Sequence, residues 1–289
     1  MRVARAPDEL PAGHRAVALG TFDGVHLGHR RVLDATRANE SLVATAVTFW
    51  PHPRTTLGYR VELLTSLERR LELLEEAGLD EALVIEFSLE LARLTPEEFA
   101  DRVLRPIGAQ VVVAGADFRF GRGRSGDLEL LARLGFDVQP VELVESLSSS
   151  AIRRLLHAGA IEHAARALGR PPEVEGVVVA GDHRGGTLGF PTANLDVDPS
   201  LLVPAYGIYA GAAAGQHAAI SIGTNPHYGG EERRVEAFLL DYEGDLYGRR
   251  LVLELWTRLR DERAFTTERE LVEQIARDVE ATRRAERPV

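Results

Sequence analysis

Two histidines, three residues apart, could stabilise negative charge on a reacting phosphate. His26 and His29 lie within residues 20–29, and on the first turn of a helix their rings would face one side. Imidazole N–H groups donate hydrogen bonds to phosphate oxygens. Gly28, between them, has no side chain and would let a nucleotide approach the backbone. The alternative is a helix-capping loop whose histidines are ordinary surface residues.

The surrounding sequence favours the functional interpretation. Residues 16–19 are apolar, as in a short buried parallel strand, and residues 32–38 space their apolar side chains as a helix does. Residues 20–29 then join a strand to a helix, where open α/β sheets bind their ligands. The helix N-terminus there offers unpaired N–H groups and a partial positive charge, which suit phosphate.

Residues 20–29 resemble the HxGH signature of the nucleotidylyltransferase superfamily, in the form found in bacterial FAD synthetases. Their pattern G-x-F-D-G-x-H-x-G-H is matched without a gap. The superfamily transfers the AMP part of ATP to a phosphate or carboxylate and releases pyrophosphate. The resemblance implies catalytic roles for His26 and His29, and nucleotide binding by Gly20, Thr21, Phe22, Asp23 and Gly28.

Ser148, Ser149 and Ser150 form a run of hydroxyl groups that ends close to Arg153. Serines at a helix N-terminus cap it, which is the simpler interpretation. Three hydroxyls and an arginine on one helical turn would also clamp a phosphate. The run resembles the S-S-[ST]-x-I-R signature of the same superfamily, and it follows the first signature by about a domain's length.

Two further stretches resemble elements of that family. Residues 116–121 are similar to G-x-[ND]-F-x-F-G, an element near the adenylated nucleotide, and this similarity assigns Asp117 to nucleotide binding. Residues 49–53 are similar to F-x-P-H-P, within which His52 could equally be a turn residue.

Composition excludes several other chemistries. The chain has no cysteine, which rules out disulfides, thiol catalysis and Cys-type zinc sites. It also has no lysine, so all 34 basic residues are arginine. Walker A loops, Schiff-base enzymes and the second signature of class I aminoacyl-tRNA synthetases all need lysine. The net charge of −10 argues against a large nucleic-acid footprint.

The sequence predicts neither a membrane span nor a signal peptide. No apolar run approaches about 18 residues, and the N-terminus lacks the apolar segment of a signal peptide. The absence of cysteine fits a reducing compartment. We therefore expect a cytoplasmic protein whose partners are small molecules, with no nucleic acid and no membrane among them.

The pattern along the chain changes at residues 169–172, which are typical of a linker. Before them, strand and helix patterns alternate, which predicts a Rossmann-like domain with a parallel sheet. After them, short apolar runs between glycine-rich turns predict an antiparallel β-barrel with a terminal helix. We expect an α/β protein with two domains, residues 1–169 and 172–289. Strands are predicted at residues 42–49, 82–87, 111–114 and 138–144, and capping boxes at Thr65, Thr95 and Thr267.

The second half has a site pattern of its own in residues 189–194, Gly-Phe-Pro-Thr-Ala-Asn. Thr192 and Asn194 are two residues apart, so on an extended strand their oxygens would lie on one face. Two neutral oxygens can complete the shell of a magnesium ion that already binds phosphates and water. A simple turn is the alternative. Glu236 lies in a predicted strand, where it would face solvent or, if it faced a site, accept a proton from a hydroxyl.

Three elements of this half resemble the riboflavin kinase domain: G-F-P-T-A-N, S-I-G-T-N-P at residues 221–226, and V-E-x-x-x-L-D at residues 235–241. Together the two halves resemble the bifunctional bacterial riboflavin kinase/FAD synthetase family over nearly the whole chain. The resemblance implies Mg²⁺ at Thr192 and Asn194, and Glu236 as the catalytic base. It also implies ATP and flavin binding by Gly181, Arg184, Gly189, Phe190, Pro191, Asn225 and Arg260.

One position departs from the family. G-R-x-L-G usually precedes F-P-T-A-N, whereas Gly186 stands here at the arginine position and Arg184 lies two residues earlier. This difference puts the kinase-side phosphate contacts in doubt, but not the type of domain.

The resemblance implies two reactions in series. The barrel would move the γ-phosphate of ATP to the ribityl 5′-hydroxyl of riboflavin, giving FMN. The first domain would then have the FMN phosphate attack the α-phosphate of ATP, giving FAD and pyrophosphate. Two alternatives remain open: an adenylyltransferase of another phosphoester with the barrel as a regulatory module, or a flavin carrier without catalytic activity.

Overall fold

The structure is a computed structural model that describes residues 1–142, 147–181, 190–224 and 233–289. The chain divides into two compact units, Met1–Ser149 and Ser150–Val289. The first contains a parallel sheet and the second an antiparallel barrel, which confirms the predicted fold class. Across the described ranges, no helix is long and apolar enough to cross a membrane.

The first unit is built around a parallel sheet. Its strands are β1 (Arg2–Ala4), β2 (Arg15–Leu19), β3 (Val43–Trp50), β4 (Glu81–Glu86), β5 (Ala109–Gly115) and β6 (Asp137–Val141). They lie in the order β1-β4-β3-β2-β5-β6, and every neighbouring pair is parallel. From β2 the chain moves outward through β3 and β4, and then returns to β5 on the other side of β2. The carboxyl ends of β2 and β5 therefore flank the point where strand order reverses, where such sheets bind ligands.

The central strand β2 shows why this sheet forms. All five of its residues are buried, as expected for a parallel strand that is covered on both faces. Val17 and Leu19 contribute to the apolar cluster on one face of the sheet, and Ala16 and Ala18 to the cluster on the other. The predicted strands correspond to β3, β4, β5 and β6 with ends that differ by one to three residues, and β1 was not predicted.

Helices in this unit begin where side chains cap them. They are α1 (Leu27–Arg37), α2 (Pro53–Thr56), α3 (Leu67–Glu76), α4 (Pro96–Phe99) and α5 (Leu128–Arg133). The predicted capping box of α4 is confirmed, because Thr95 and Glu98 bond each other reciprocally. The capping box predicted at Thr65 is wrong. Ser66 caps α3 by accepting the Arg69 N–H, while the Thr65 hydroxyl accepts the N–H of Gly24 instead.

The second unit is a closed barrel with helices. It contains α6 (Ser149–His157), which begins at the last residue of the first unit, then α7 (Ile161–Leu168) and α8 (Glu268–Arg284). Its strands are β7 (Glu173–Val179), β8 (Ala193–Asp196), β9 (Gly207–Ala213), β10 (Gln216–Thr224), β11 (Arg233–Leu239) and β12 (Arg250–Arg260). They close antiparallel in the order β10-β11-β8-β7-β12-β9.

Side chains alternate between the interior and the outside of the barrel. In β11, Val235, Ala237 and Leu239 are buried, whereas Glu236 and Phe238 are only partly buried. The period of two places the first set in the barrel core and the second on its outer surface. Thr267 caps α8 by accepting the N–H of Glu270. The capping box predicted there is only half formed, because the Glu270 carboxylate accepts the N–H of Thr266 and not that of Thr267.

The two helices that precede the predicted linker belong with the barrel. α7 contacts β12, where the Thr257 hydroxyl donates to Glu162. The N–H of Ala205 donates to the carbonyl oxygen of Leu156 in α6 at 3.1 Å. The compact unit therefore starts about twenty residues before the predicted boundary at residues 169–172. A division of function at that linker stays a prediction.

Candidate active sites

The loop between β2 and α1 makes a tight turn at the carboxyl edge of the sheet. Phe22 (φ 51°), Gly24 (φ 84°) and Val25 (φ 38°) have left-handed backbone. The Phe22 and Val25 side chains are buried in the apolar cluster behind the loop, and their burial offsets the strain of this conformation. At Gly24 a Cβ would lie 2.7 Å from the Leu64 side chain, so this position requires glycine.

The two histidines stack against each other where the loop enters α1. Their ring centroids are 3.6 Å apart with an interplanar angle of 17°, and the Phe22 ring meets His29 edge-on at 5.3 Å. His26 is the N-cap of α1, and its Nδ1 accepts the His29 N–H at 3.2 Å. Because Nδ1 is an acceptor, the proton of the neutral ring lies on Nε2, which is then a donor. Capping and phosphate binding are therefore compatible roles for His26.

Gly28 lies in the first turn of α1, where the sequence suggests that it admits a nucleotide. A Cβ at this position would lie 3.0 Å from the carbonyl oxygen of Leu147 and 3.0 Å from Cε1 of His26. Packing against the protein's own atoms is thus tight enough to favour glycine at this position. Nucleotide binding at Gly28 stays a prediction.

The buried side chain of Asp23 attaches the loop between β2 and α1 to residues 64 and 65. It is 1% exposed, and its Oδ1 accepts the N–H groups of Leu64 at 2.9 Å and Thr65 at 3.2 Å. The resemblance assigned Asp23 and Phe22 to nucleotide binding. Both side chains are buried, and nucleotide binding by these two residues stays a prediction.

Gly20, Thr21 and Asp117 lie at the edge of the sheet where strand order reverses. The Gly20 N–H donates to the carbonyl oxygen of Val47 at 3.2 Å, and the Thr21 carbonyl accepts from the Thr48 hydroxyl at 3.0 Å. Asp117 is exposed in the loop that follows β5, which pairs with β2. This edge is where the sheet is expected to bind a ligand, and nucleotide binding by these residues stays a prediction.

The second signature meets the first through Ser149. Its hydroxyl donates to the carbonyl oxygen of Asp23 at 2.9 Å, which ties residue 149 to the histidine loop. Ser148 is half-buried and Ser150 is exposed. Arg153 follows Ser149 by four residues on α6, so the two side chains lie on one face of that helix.

On the outer surface of the barrel, three polar residues stand in register on neighbouring strands. Glu236 of β11 pairs with Asn194 of β8 on one side and with Ser221 of β10 on the other. Cross-strand partners point to the same face of a sheet, with Cβ atoms about 5 Å apart. Glu236 faces away from the barrel core, as in a purely structural strand, but its neighbours are polar. We call Asn194, Glu236 and Ser221 the outer row.

Residues 190–192 lie beside the outer row. The Phe190 ring meets the Phe238 ring edge-on, with centroids 5.4 Å apart. Phe238 is two residues from Glu236 and so shares its face. Pro191 is exposed and Thr192 is half-buried, directly before β8. A Cβ on Gly181 would lie 2.2 Å from Nδ2 of Asn194, so the backbone of Gly181 lies against that carboxamide.

Sequence reasoning did not select Ser221 or Phe238 as site residues. The alternation of buried and partly buried residues could have found them, because both share the face of Glu236. Arg184, Gly189 and Asn225 lie outside the described residues, as does Gly186.

Arg260, which the resemblance assigned to ATP or flavin, pairs with the terminal helix instead. Its Nε lies 3.1 Å and 3.0 Å from the two carboxylate oxygens of Asp278, and its Nη2 donates to Oδ2 at 2.7 Å. Asp278 is 7% exposed and also accepts from Gln274 at 2.7 Å. These bonds connect β12 to α8 and give the guanidinium a structural partner, and ATP or flavin binding by Arg260 stays a prediction.

Removal of either partner tests whether the pair of Arg260 and Asp278 is structural. Arg260→Met and Asp278→Ala should each lower the free energy of unfolding by about 1.5–3 kcal/mol, since each breaks hydrogen bonds between charged groups. The double variant should lose less than the sum, because the two residues share these bonds. Urea denaturation measures the losses. A raised KM for ATP or riboflavin in Arg260→Met alone would show instead that Arg260 binds substrate.

The donor set beside the outer row fits a magnesium ion. Among the described residues there is no group of three or more His, Asp or Glu side chains that could hold a metal by themselves. Thr192 and Asn194 offer neutral oxygens on one side, with the Glu236 carboxylate in register with Asn194. Hard oxygen ligands that leave positions for phosphate and water are those that Mg²⁺ prefers.

Comparisons with known proteins match both units. The FAD synthetase family model matches residues 10–153, and the riboflavin kinase family model matches residues 168–286. A solved structure of a protein called a macrolide-efflux protein, from Streptococcus pneumoniae, has a TM-score of 0.87 and 29% identity, and the match covers 98% of this chain and 99% of that one. The term efflux belongs to the name of that protein only. Neither of the two family models that match this chain describes an efflux protein.

Several relatives carry the name bifunctional riboflavin kinase/FMN adenylyltransferase. The Bacillus subtilis protein is 36% identical over 282 residues, which are 91% of this chain and 89% of the relative. The Escherichia coli K12 protein is 34% identical over 289 residues, which are 93% and 92% of the two chains. Since both halves match in order and these relatives align almost from end to end, the chain belongs to the bifunctional riboflavin kinase/FMN adenylyltransferase family.

Proposed function

We propose that this enzyme of flavin cofactor biosynthesis performs its two ATP-dependent reactions at two separate sites. The observation that carries the proposal is that each compact unit has its own group of reactive side chains. The first unit has the stacked pair His26 and His29 at the edge of the parallel sheet, where strand order reverses. The second has the outer row of the barrel, with Glu236 at its centre.

At the first site, the phosphate of FMN attacks the α-phosphate of ATP. A new oxygen–phosphorus bond forms as the bond to the bridging oxygen breaks, and pyrophosphate leaves. The attacking phosphate is already an anion and needs no base. The negative charge on the triphosphate is stabilised by His26, by His29 and by the N-terminal N–H groups of α1.

At the second site, the ribityl 5′-hydroxyl of riboflavin attacks the γ-phosphate of ATP, and ADP leaves. Glu236 accepts the hydroxyl proton, since a neutral hydroxyl is a poor nucleophile. Phe190, packed on Phe238, offers an apolar surface for the flavin or the adenine. The rest of such a transfer is chiefly positioning and charge stabilisation.

Thr192 and Asn194 are the residues that would hold Mg²⁺ at this second site. A bound magnesium ion supplies positive charge that neutralises the β- and γ-phosphates. The backbone of Gly181 lies directly against the Asn194 carboxamide and so limits where that side chain can go.

A chromatographic assay of riboflavin, FMN and FAD tests the whole proposal. With ATP and Mg²⁺, riboflavin should give FMN and then FAD. FAD made only from supplied FMN would favour an adenylyltransferase whose barrel is a regulatory module. Tight flavin binding without any turnover would favour a carrier.

Two fragments test whether the kinase reaction separates from the rest of the chain. A fragment from Pro172 should still phosphorylate riboflavin, because it contains the whole barrel, α8 and the outer row. A fragment from Ser150 should do so at the same rate but melt at a higher temperature, because it keeps the contacts of α6 and α7 with the barrel. Thermal melts and the riboflavin assay measure both. A folded Pro172 fragment without kinase activity would place part of the kinase before the linker.

A further inference from the structure

We infer that Arg70 is a positioning residue for adenylyl transfer, which holds the histidine loop in its reactive conformation through Asp23. The inference rests on the proposed role of His26 and His29. Arg70 lies on α3, outside every motif found in the sequence. It is 0% exposed, so its charge is fully removed from water.

Asp23 links the histidine loop to the residues that lead into α3. Both N–H groups that it receives, from Leu64 and Thr65, donate to the same carboxylate oxygen, Oδ1. The adjacent Gly24 N–H donates to the Thr65 hydroxyl at 3.2 Å. Three contacts thus join residues 23 and 24 to residues 64 and 65, within the turn that has left-handed backbone on both sides of Asp23.

Arg70 supplies the positive charge at this junction. Its Nη2 lies 3.6 Å from Oδ1 of Asp23. The guanidinium carbon lies 5.5 Å from the centre of the Trp50 ring, and Nη1 lies 3.5 Å from the carbonyl oxygen of Phe49. Arg70 therefore contacts the end of β3 and the loop that follows β2, which are neighbouring strands of the sheet.

The charges explain why this arrangement acts on the loop. Removal of the cation beside a buried carboxylate makes the ionised form less favourable there, so the Asp23 side chain would shift. The Asp23 backbone also accepts from Ser149, and the chain reaches His26 three residues later. A shift of Asp23 would therefore move the histidine rings and the contact with the second signature. A displacement of about 1 Å at a reacting group can cost about 10²-fold in rate.

The test compares four variants in the full-length enzyme. Arg70→Met should lower kcat for FAD formation from FMN by about 10–100-fold and change KM by less than about threefold, because the histidines act on the transition state. Riboflavin phosphorylation by the same protein should stay at the wild-type rate. Arg70→Lys, which keeps the charge, should remain within about threefold of wild type. Arg69→Met is the matched control, since Arg69 pairs with Glu72 and Glu76 of its own helix, and it should not change FAD formation.

The double variant Asp23→Asn/Arg70→Met separates positioning from folding. Asparagine keeps Oδ1, so it can still accept the two N–H groups, and no charge remains buried. Its kcat should recover to within about threefold of wild type. If Arg70→Met lost activity by unfolding, the added Asp23→Asn would not restore it. A wild-type kcat in Arg70→Met, or a double variant no faster than Arg70→Met, overturns the inference. If the proposed role of His26 and His29 were itself wrong, the result would be different: His29→Ala would form FAD at a near-normal rate.

Discussion

Replacement of His29 with alanine is expected to lower FAD formation from FMN by about 10²–10³-fold, the typical cost of one lost donor to transition-state charge. The backbone N–H of residue 29, which donates to Nδ1 of His26, remains in the variant. Alanine is also the best helix former, so α1 should keep its first turn. The loss would then come from the imidazole itself. Steady-state rates of FAD and pyrophosphate release measure it.

His14→Ala is the matched control for this experiment. His14 is exposed and lies just before β2, at the opposite end of the strand from the histidine loop. It should leave both activities unchanged, while His29→Ala should leave riboflavin phosphorylation unchanged. Near-normal FAD formation in His29→Ala would mean that the HxGH run does not perform adenylyl transfer.

Replacement of Glu236 with glutamine is expected to lower FMN formation by about 10²–10⁴-fold, the usual contribution of a positioned base. The amide keeps the size of the side chain but cannot accept the proton of the ribityl hydroxyl. Binding of riboflavin and ATP should change little. FAD synthesis from supplied FMN should continue at the normal rate, so the variant would convert FMN to FAD but would phosphorylate riboflavin only slowly.

Glu243→Gln is the control for loss of one negative charge near the barrel. Glu243 is exposed in the turn after β11 and should be neutral to both reactions. A normal rate of FMN formation in Glu236→Gln would make Glu236 an ordinary outward strand residue. Loss of both activities would indicate a folding defect, which circular dichroism and thermal melting would detect.

Local sequence patterns predicted the elements that position both sites. The apolar run before residue 20 and the helical spacing after residue 29 placed the histidines at a strand-to-helix junction, and Thr95 and Thr267 marked two helix starts. These features depend on neighbours within about four residues, which a sequence displays directly. The wrong prediction at Thr65 is an error of one residue. Ser66 is an equally good N-cap, and the Thr65 hydroxyl accepts the N–H of Gly24 instead.

Partners far apart in the chain could not be predicted in this way. The carboxylate of Asp23 is satisfied by residues 64 and 65, and Arg260 finds its partner on a helix that packs beside the barrel. From the sequence alone, Asp23 and Arg260 could equally have bound a ligand, because a motif does not show which group a charged side chain contacts. Arg70 gave no signal at all, because a helical arginine is ordinarily solvated.

The alternation along β11 decides which kinds of sequence change the kinase barrel can tolerate. Val235 and Ala237 fill the interior, while Glu236 lies between them on the outside. Insertion or deletion of one residue in this strand would reverse the two faces, carrying a carboxylate into the core and valine out of it. Single replacements at outward positions leave the interior packing untouched. Descendants of this chain can therefore vary the kinase chemistry by substitution within β11, but not by a change in the length of that strand.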